Sequence, residues 1–198
     1  MNHLTILDPQ IYEKTCKRSK FISYSFPVNS ENDVRLHLKN VKNEHHSAKH
    51  HVYAYILEEN GLEKYSDDGE PCGTAGLPIL NAIKSTNLTN VLVIIVRYFG
   101  GVLLGPNGLR TMYHSGATEV LKKSELIEVI PYENIKIATT YKKLSKVLYL
   151  INQHNGKILE NKFENEIYIE AAIPKERLLD LKNTMVHILE GSGSIEII

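Results

Sequence analysis

Between residues 134 and 140 the side chains alternate, Ile135, Ile137 and Thr139 against Lys136 and Ala138. That period of two predicts a strand with one buried side. Leu144, Val147, Leu148 and Ile151 then recur at helical spacing and predict an amphipathic helix. Asn155-Gly156 is its expected stop, with Gly156 supplying the left-handed C-cap conformation. Residues 157–163 and 166–173 read as a hairpin around Glu164-Asn165. Pro174 suits the first turn of a second helix, whose Leu178, Leu181, Met185, Ile188 and Leu189 form a stripe. Gly191-Ser192-Gly193 ends that helix, and residues 194–198 supply a last strand. A βαββαβ order with two helices on one side of four antiparallel strands is the ferredoxin-like arrangement. That fold hosts many functions and names none.

The earlier residues are also α+β. Residues 21–28 read as a strand, and Ser30 with Asp33 resembles an N-capping pair before a helix to about Asn43, with Val34, Leu38 and Val41 inward. Residues 51–57 and 62–66 predict a hairpin turning at Glu59-Asn60-Gly61. A loop over residues 67–76 leads into a helix through Ile79, Leu80 and Ile83. The run Val91 to Val96 is apolar throughout, which predicts an interior strand. A second glycine-rich stretch from Gly100 to Gly105 leads into a long helix carrying Leu109, Met112, Gly116, Val120 and Leu121 along one side.

The length of 198 residues suits one large domain or two small ones, and a punctuated stretch at 126–131 marks the expected division into 1–128 and 129–198. Each part is balanced, with 14 basic and 14 acidic residues before the division and 9 of each after it, so neither is a charged tail. Hydrophobic residues at 42% and charged residues at 23% exclude a disordered, collagen-like or disulfide-framework chain. No apolar run approaches the roughly 18 residues of a membrane span. No basic segment followed by an apolar one opens the chain, so neither a secretory signal nor a membrane association is expected. Two cysteines, Cys16 and Cys72, fit a reducing cytoplasm. Zero net charge argues against coating nucleic acid by bulk positive charge, so any polyanion site is local.

Two stretches carry a family resemblance. They are Ser66-Asp67-Asp68-Gly69-Glu70-Pro71-Cys72-Gly73-Thr74-Ala75-Gly76 with Pro78-Ile79-Leu80, and Val96-Arg97-Tyr98-Phe99-Gly100-Gly101-Val102-Leu103-Leu104-Gly105. Lesser matches are Lys17-Arg18-Ser19-Lys20-Phe21-Ile22, and Ala48-Lys49-His50 with Tyr53-Ala54-Tyr55. In this order they resemble the IMPACT/YigZ family over residues 15–120, and the remainder is similar to the smaller C-terminal domain of bacterial members. The resemblance implies a ribosomal protein S5 domain 2-like N-terminal domain and a ferredoxin-like C-terminal domain similar to elongation-factor G modules. It also implies a cytoplasmic factor linked to translation. Eukaryotic relatives act by binding a partner of a nutrient-sensing kinase, and nucleic-acid or ribosome binding is the usual proposal for bacterial ones. The chain departs from the family pattern at Gly105-Pro106-Asn107-Gly108, where a second double glycine is usual, at Thr111 with Arg110 beside it, at Cys72 and at Val52.

Both motifs are glycine loops opening helices, whose free N–H groups and partial positive charge favour anions. Arg97 could clamp a phosphate, with Asp67 or Asp68 orienting it and amides of Gly73, Thr74 and Gly101 holding the anion. The same glycines equally serve tight turns. Asp67, Asp68 and Glu70 suggest acid–base or metal chemistry, yet Asp68-Gly69 is an ordinary turn signal. His45, His46, His50 and His51 fit no zinc spacing, and His50 and His51 face opposite ways if on a strand. Cys72 has no assignable partner histidine. Lys14, Lys17, Arg18 and Lys20 before Phe21, Tyr24 and Phe26 offer phosphate contacts and stacking rings, or simply a solvated basic edge.

The expected binding set is Asp67, Asp68, Glu70, Gly73, Thr74, Ala75 and Gly76, with Arg97, Tyr98, Phe99, Gly100, Gly101 and Gly105, and with Lys17, Arg18 and Lys20. No catalytic residue, cofactor or metal is assigned. The expected partners are RNA, ribosome-associated components or a regulatory protein. The alternatives are an enzyme on a phosphorylated or nucleotide-like molecule, with Asp68 as base or metal ligand, and a purely protein-binding module.

Overall fold

A strand apolar at every position is stable only with both faces covered, and the run beginning at Val91 is placed accordingly. The computed structural model describes residues 3–58, 61–163, 167–189, 191 and 193–198. Among them the chain is α+β, with five helices and three sheets, and it divides into two units, His3–Val129 and Ile130–Ile198. The first contains β1 (His3–Ile6), β2 (Gln10–Cys16), β3 (Ser19–Pro27), α1 (Glu31–Glu44), β4 (His50–Leu57), β5 (Leu62–Ser66), α2 (Gly76–Ser85), β6 (Val91–Tyr98), α3 (Gly105–Lys122) and β7 (Leu126–Val129). Its main sheet has the antiparallel order β2-β3-β6-β4-β5, so β6 is central. One face packs Phe21, Val52, Val93 and Ile95 against α2 and α3. The other packs Tyr24, Tyr55, Leu92 and Ile94 with Val34 and Val41 of α1.

The cap on α1 matches its sequence signal. Ser30 Oγ accepts from the Asp33 amide at 3.2 Å, and Asp33 Oδ2 accepts from the Ser30 amide at 2.9 Å, a reciprocal capping box. The strands β1, β2 and β7 were not legible. The stretch 126–131 is not simply a divider, because β7 pairs with β1 across more than a hundred residues. A four-residue strand shows no reliable period. The basic stretch is split as well: β2 and β3 form a hairpin in which Lys17 and Arg18 are the turn, both with positive φ, 44° and 66°. Such turns ordinarily carry Asn-Gly or Asp-Gly, so Lys-Arg gave no warning.

The second unit contains β8 (Tyr132–Thr139), α4 (Leu144–Gln153), β9 (Lys157–Phe163), β10 (Ile167–Pro174), α5 (Lys175–Leu189) and β11 (Ser194–Ile197), with sheet order β11-β8-β10-β9. Ile135, Ile137, Ile169 and Ile173 meet Val147, Ile151, Leu181 and Met185 in its core. Two local expectations are corrected. Asn155, not Gly156, takes the left-handed conformation, at φ 56°. Gly156 is required for room instead, because a Cβ there would overlap Ile173 and Ile151. Pro174 ends β10 rather than opening α5. Turns expected at Glu59-Asn60 and Glu164-Asn165, the strand start at Glu166 and the stop at Ser192 lie outside the described residues. No helix among the described residues is long and apolar enough to cross a membrane.

Replacing Ser30 by alanine removes half of the capping box, and the expected loss is about 1 kcal/mol, read from urea denaturation midpoints. An unchanged midpoint would show that Asp33 alone caps α1.

Candidate functional site

Strand pairing decides what gathers at one end of the main sheet. Register places Arg97 opposite Phe21 on one side and His50 on the other. The end of β6 therefore meets the beginnings of β3 and β4, and with them the Lys17-Arg18 turn and Lys49. Gly100 lies so close to the Arg18 backbone that a Cβ there would overlap it, and its amide donates to Ser19 Oγ at 3.2 Å. The loop after β5 and the start of α3 close the remaining sides. A cleft of about 380 Å³ results, lined among others by Lys49, His50, Glu70, Arg97, Phe99, Leu103 and Gly105.

Arg97 is 5% exposed. Its Nη1 donates to Glu70 Oε1 at 2.7 Å, and Nη2 reaches Ser19 Oγ at 3.5 Å. Its guanidinium carbon lies 5.4 Å from the Phe21 ring centroid and 5.5 Å from that of Phe99. Tyr113 Oη, from α3, donates to the same Glu70 oxygen at 2.7 Å. Burial, followed by the Glu70 charge, pushes the Tyr113 phenol far up, so it remains a donor. Glu70 is thus the orienting carboxylate of Arg97, and the expectation that Asp67 or Asp68 plays that part is overturned.

Asp67 has a different task. Its Oδ2 accepts from the Gly73 amide at 2.9 Å, and its Oδ1 from Ala75 and Gly76 at 3.0 and 2.8 Å. The Thr74 amide donates to the Pro71 carbonyl at 3.0 Å. The start of α2 is therefore an anion site filled from within. A tethered carboxylate loses no translational freedom on entering it, so it outcompetes a free anion. The expected role of Gly73 and Thr74 in holding an external anion is corrected on this ground. Of the two helix starts, only that of α3, at Gly105, lines the cleft, and it has no side-chain cap.

Asp68 also turns inward. With φ 41° it forms the predicted turn with Gly69, accepts from the His51 amide at 2.7 Å, and lies 3.6 Å from Lys42. His50 and His51 face opposite sides of the sheet, as alternation requires. His50 Nδ1 contacts the Asp68 carbonyl at 2.8 Å, and His51 Nε2 contacts the His45 carbonyl at 3.1 Å. Tyr98 Oη bonds His45 Nδ1 at 2.8 Å, away from the cleft, and His45 Nε2 bonds Tyr24 Oη. Burial raises the Tyr24 phenol to about 12. Phe21 and Tyr24 are buried on opposite faces, so neither is a free stacking ring. Phe99 is, at 46% exposed.

The charges left over define the surface. Glu13 pairs with Lys20 at 2.9 Å, Asp68 with Lys42, and Glu70 with Arg97. Lys17, Arg18 and Lys49 are exposed and form no ion pair among the described residues. Ser19, Lys49, Tyr113 and Leu103 were missed in the sequence. Ser19, Lys49 and Leu103 lie inside the motifs that carry the family resemblance, and Tyr113 left a hydroxyl within the apolar stripe of α3.

The Impact N-terminal domain family matches residues 17–121. An IMPACT family member of Haemophilus influenzae is 30% identical over 191 residues, 95% of this chain and 93% of that protein. IMPACT family member YigZ of Escherichia coli is 27% identical, over 89% of this chain and 88% of its own. A crystal structure described as that of an hypothetical protein superposes with a TM-score of 0.74 at 26% identity, covering 100% of this chain and 97% of that one.

Two outcomes are expected. Glu70→Leu strands the Arg97 charge and costs about 3–5 kcal/mol, whereas Glu70→Leu with Arg97→Met costs less, both read by urea denaturation; equal losses would refute the pairing. His51 and His37 have their pKa values lowered, chiefly by burial. The unfolded chain then takes up protons first, so their contribution is constant above the ordinary value of 6.5 and is lost as pH falls below it. The urea midpoint falls between pH 7.5 and 5, and falls less in His51→Gln.

Proposed function

The chain belongs to the IMPACT family, and on that premise we propose that it is a cytoplasmic regulatory protein of translation that binds RNA, on the ribosome or free, at the cleft end of its main sheet. We further propose that residues 1–128 have the ribosomal protein S5 domain 2-like fold. Residues 129–198 are proposed as a ferredoxin-like domain similar to elongation-factor G modules, on the strength of their β11-β8-β10-β9 order. The translational setting is the one the family resemblance implies.

The observation carrying the RNA reading is the imbalance at that end of the sheet. Nearby carboxylates are matched by internal donors or cations, while Lys17, Arg18 and Lys49 point outward without a partner among the described residues. Chain-wide charge is zero, yet Lys49 lines the cleft together with an exposed ring, Phe99, and the Lys17-Arg18 turn lies against Gly100 beside it. Phosphates meet lysine and arginine, and bases stack on aromatic faces, without any need for a basic protein. Turn geometry adds support. Two non-glycine residues with positive φ cost about 1–2 kcal/mol each, and Asn-Gly would relieve the cost. Retaining Lys17-Arg18 there is explained by what their charges do. Arg97 is not the primary phosphate contact in this reading. It is a buried positioning group that holds the floor on which Phe99 and Glu70 sit.

A second reading, an enzyme on a nucleotide-like molecule, is favoured by one feature, the enclosed floor where His50 Nε2 lies 4.0 Å from Glu70 Oε1. Asp68 is not its base, being committed to the His51 amide and Lys42.

The double variant Lys17→Asn with Arg18→Gly separates stability from binding. It is expected to raise the melting temperature while weakening single-stranded RNA binding severalfold and lowering the dependence of log affinity on log salt by about 1.4. A variant that melts higher and binds RNA as the parent does would remove the hairpin from the interface.

A further inference from the structure

The cleft floor leaves one ring acceptor open, and that atom bears on which nucleic acid the cleft takes. His50 is 8% exposed. Its Nδ1 lies 2.8 Å from the Asp68 carbonyl, which can only accept, so Nδ1 carries the proton. In the neutral ring Nε2 is then an acceptor. It has no hydrogen-bond partner among the described residues, and the nearest charged atom is Glu70 Oε1 at 4.0 Å. Glu70 in turn spends Oε1 on both Arg97 and Tyr113. Arg97 Nε is a buried donor left without a partner among the described residues, and His50 Nε2, nearly buried, is an acceptor facing the cleft that is likewise left without one.

A phosphate has no hydrogen to give, and a deoxyribose lacks one at the 2′ position. The ribose 2′-hydroxyl does donate, and it is the group by which proteins distinguish RNA from DNA. Phe99 stands on the rim of the same cleft, and the volume of about 380 Å³ falls within the range of small-molecule sites. Resting on the RNA reading above, we propose that the cleft takes a single nucleotide with its base against Phe99 and its 2′-hydroxyl donating to His50 Nε2, so that the protein selects ribose. Lys49 at the rim then meets the adjoining phosphate.

Rejection of the wrong sugar follows from the same geometry. A site built around a hydroxyl leaves its acceptor desolvated and unpaired when the hydroxyl is missing, and that penalty, not a clash, disfavours DNA.

The test uses the full chain and three fluorescently labelled 12-residue single strands of one mixed sequence: RNA, DNA and 2′-O-methyl RNA, compared by anisotropy. Methylation keeps the ribose frame and replaces the donated hydrogen by a methyl group, while DNA lacks the hydroxyl without the added bulk, so the two strands together separate loss of the donor from a clash. The expected order is RNA tighter than both others by about tenfold. His50→Asn retains an N–H able to reach the Asp68 carbonyl but has nothing at the Nε2 position, and it is expected to collapse the RNA-to-DNA ratio to about one. His50→Gln, whose amide can reach the Nε2 position, is expected to keep part of the preference. Equal binding of RNA and 2′-O-methyl RNA by the unmodified protein overturns ribose selection while leaving nucleic-acid binding standing. Failure of all three strands to bind overturns both. The comparison on the unmodified protein decides the matter even if a His50 variant fails to fold.

Discussion

The structure around the cleft depends on one buried ion pair, Arg97 with Glu70. Arg97 ends the central strand, Glu70 sits in the loop after β5, Tyr113 comes from α3, and Ser19 opens β3. Four separate segments therefore converge on two opposite charges that have left water. Each charge is costly alone, and together they are tolerable only with the additional hydrogen bonds that Tyr113 and Ser19 provide. The pair fixes a position more than it adds stability. Phe99, two residues beyond Arg97, is held at the rim because the guanidinium beneath it cannot move.

A second constraint is the filling of the α2 start by Asp67. A helix terminus with free amides is an invitation to anions, and the loop answers with its own carboxylate on three amides. The consequence is a division of labour between two glycine loops that look alike in sequence. One is a closed structural turn. The other leaves the α3 terminus uncapped on the cleft. Exposed Leu103, at 81%, and Phe99 make that second loop an apolar edge of the cleft, continued by Leu104, Pro106 and Leu109.

The cationic rim follows from this accounting of charges. Nothing in the net charge betrays it, because the acids balancing the total lie in internal pairs or elsewhere on the chain. The Lys17-Arg18 turn places two charges at positions of positive φ where Asn-Gly would be relaxed.

Local rules were enough for α1 with its capping box, for the apolar run Val91 to Val96 of β6, for the α3 stripe and for the alternating β8, since each carries its cause within a few residues of itself. The opposite facing of His50 and His51 was legible for the same reason. The partner of Arg97 was not. Three carboxylates lie within four positions, Asp67, Asp68 and Glu70, and composition cannot rank them. Only the folded loop decides, by turning Asp67 onto amides and Asp68 onto β4 so that Glu70 alone reaches the guanidinium. The same holds for β1 with β7, and for the Lys17-Arg18 turn against Gly100. Periodicity tells a residue which way to face, but which distant residue it meets is fixed by register and close packing, and those exist only once the chain has folded.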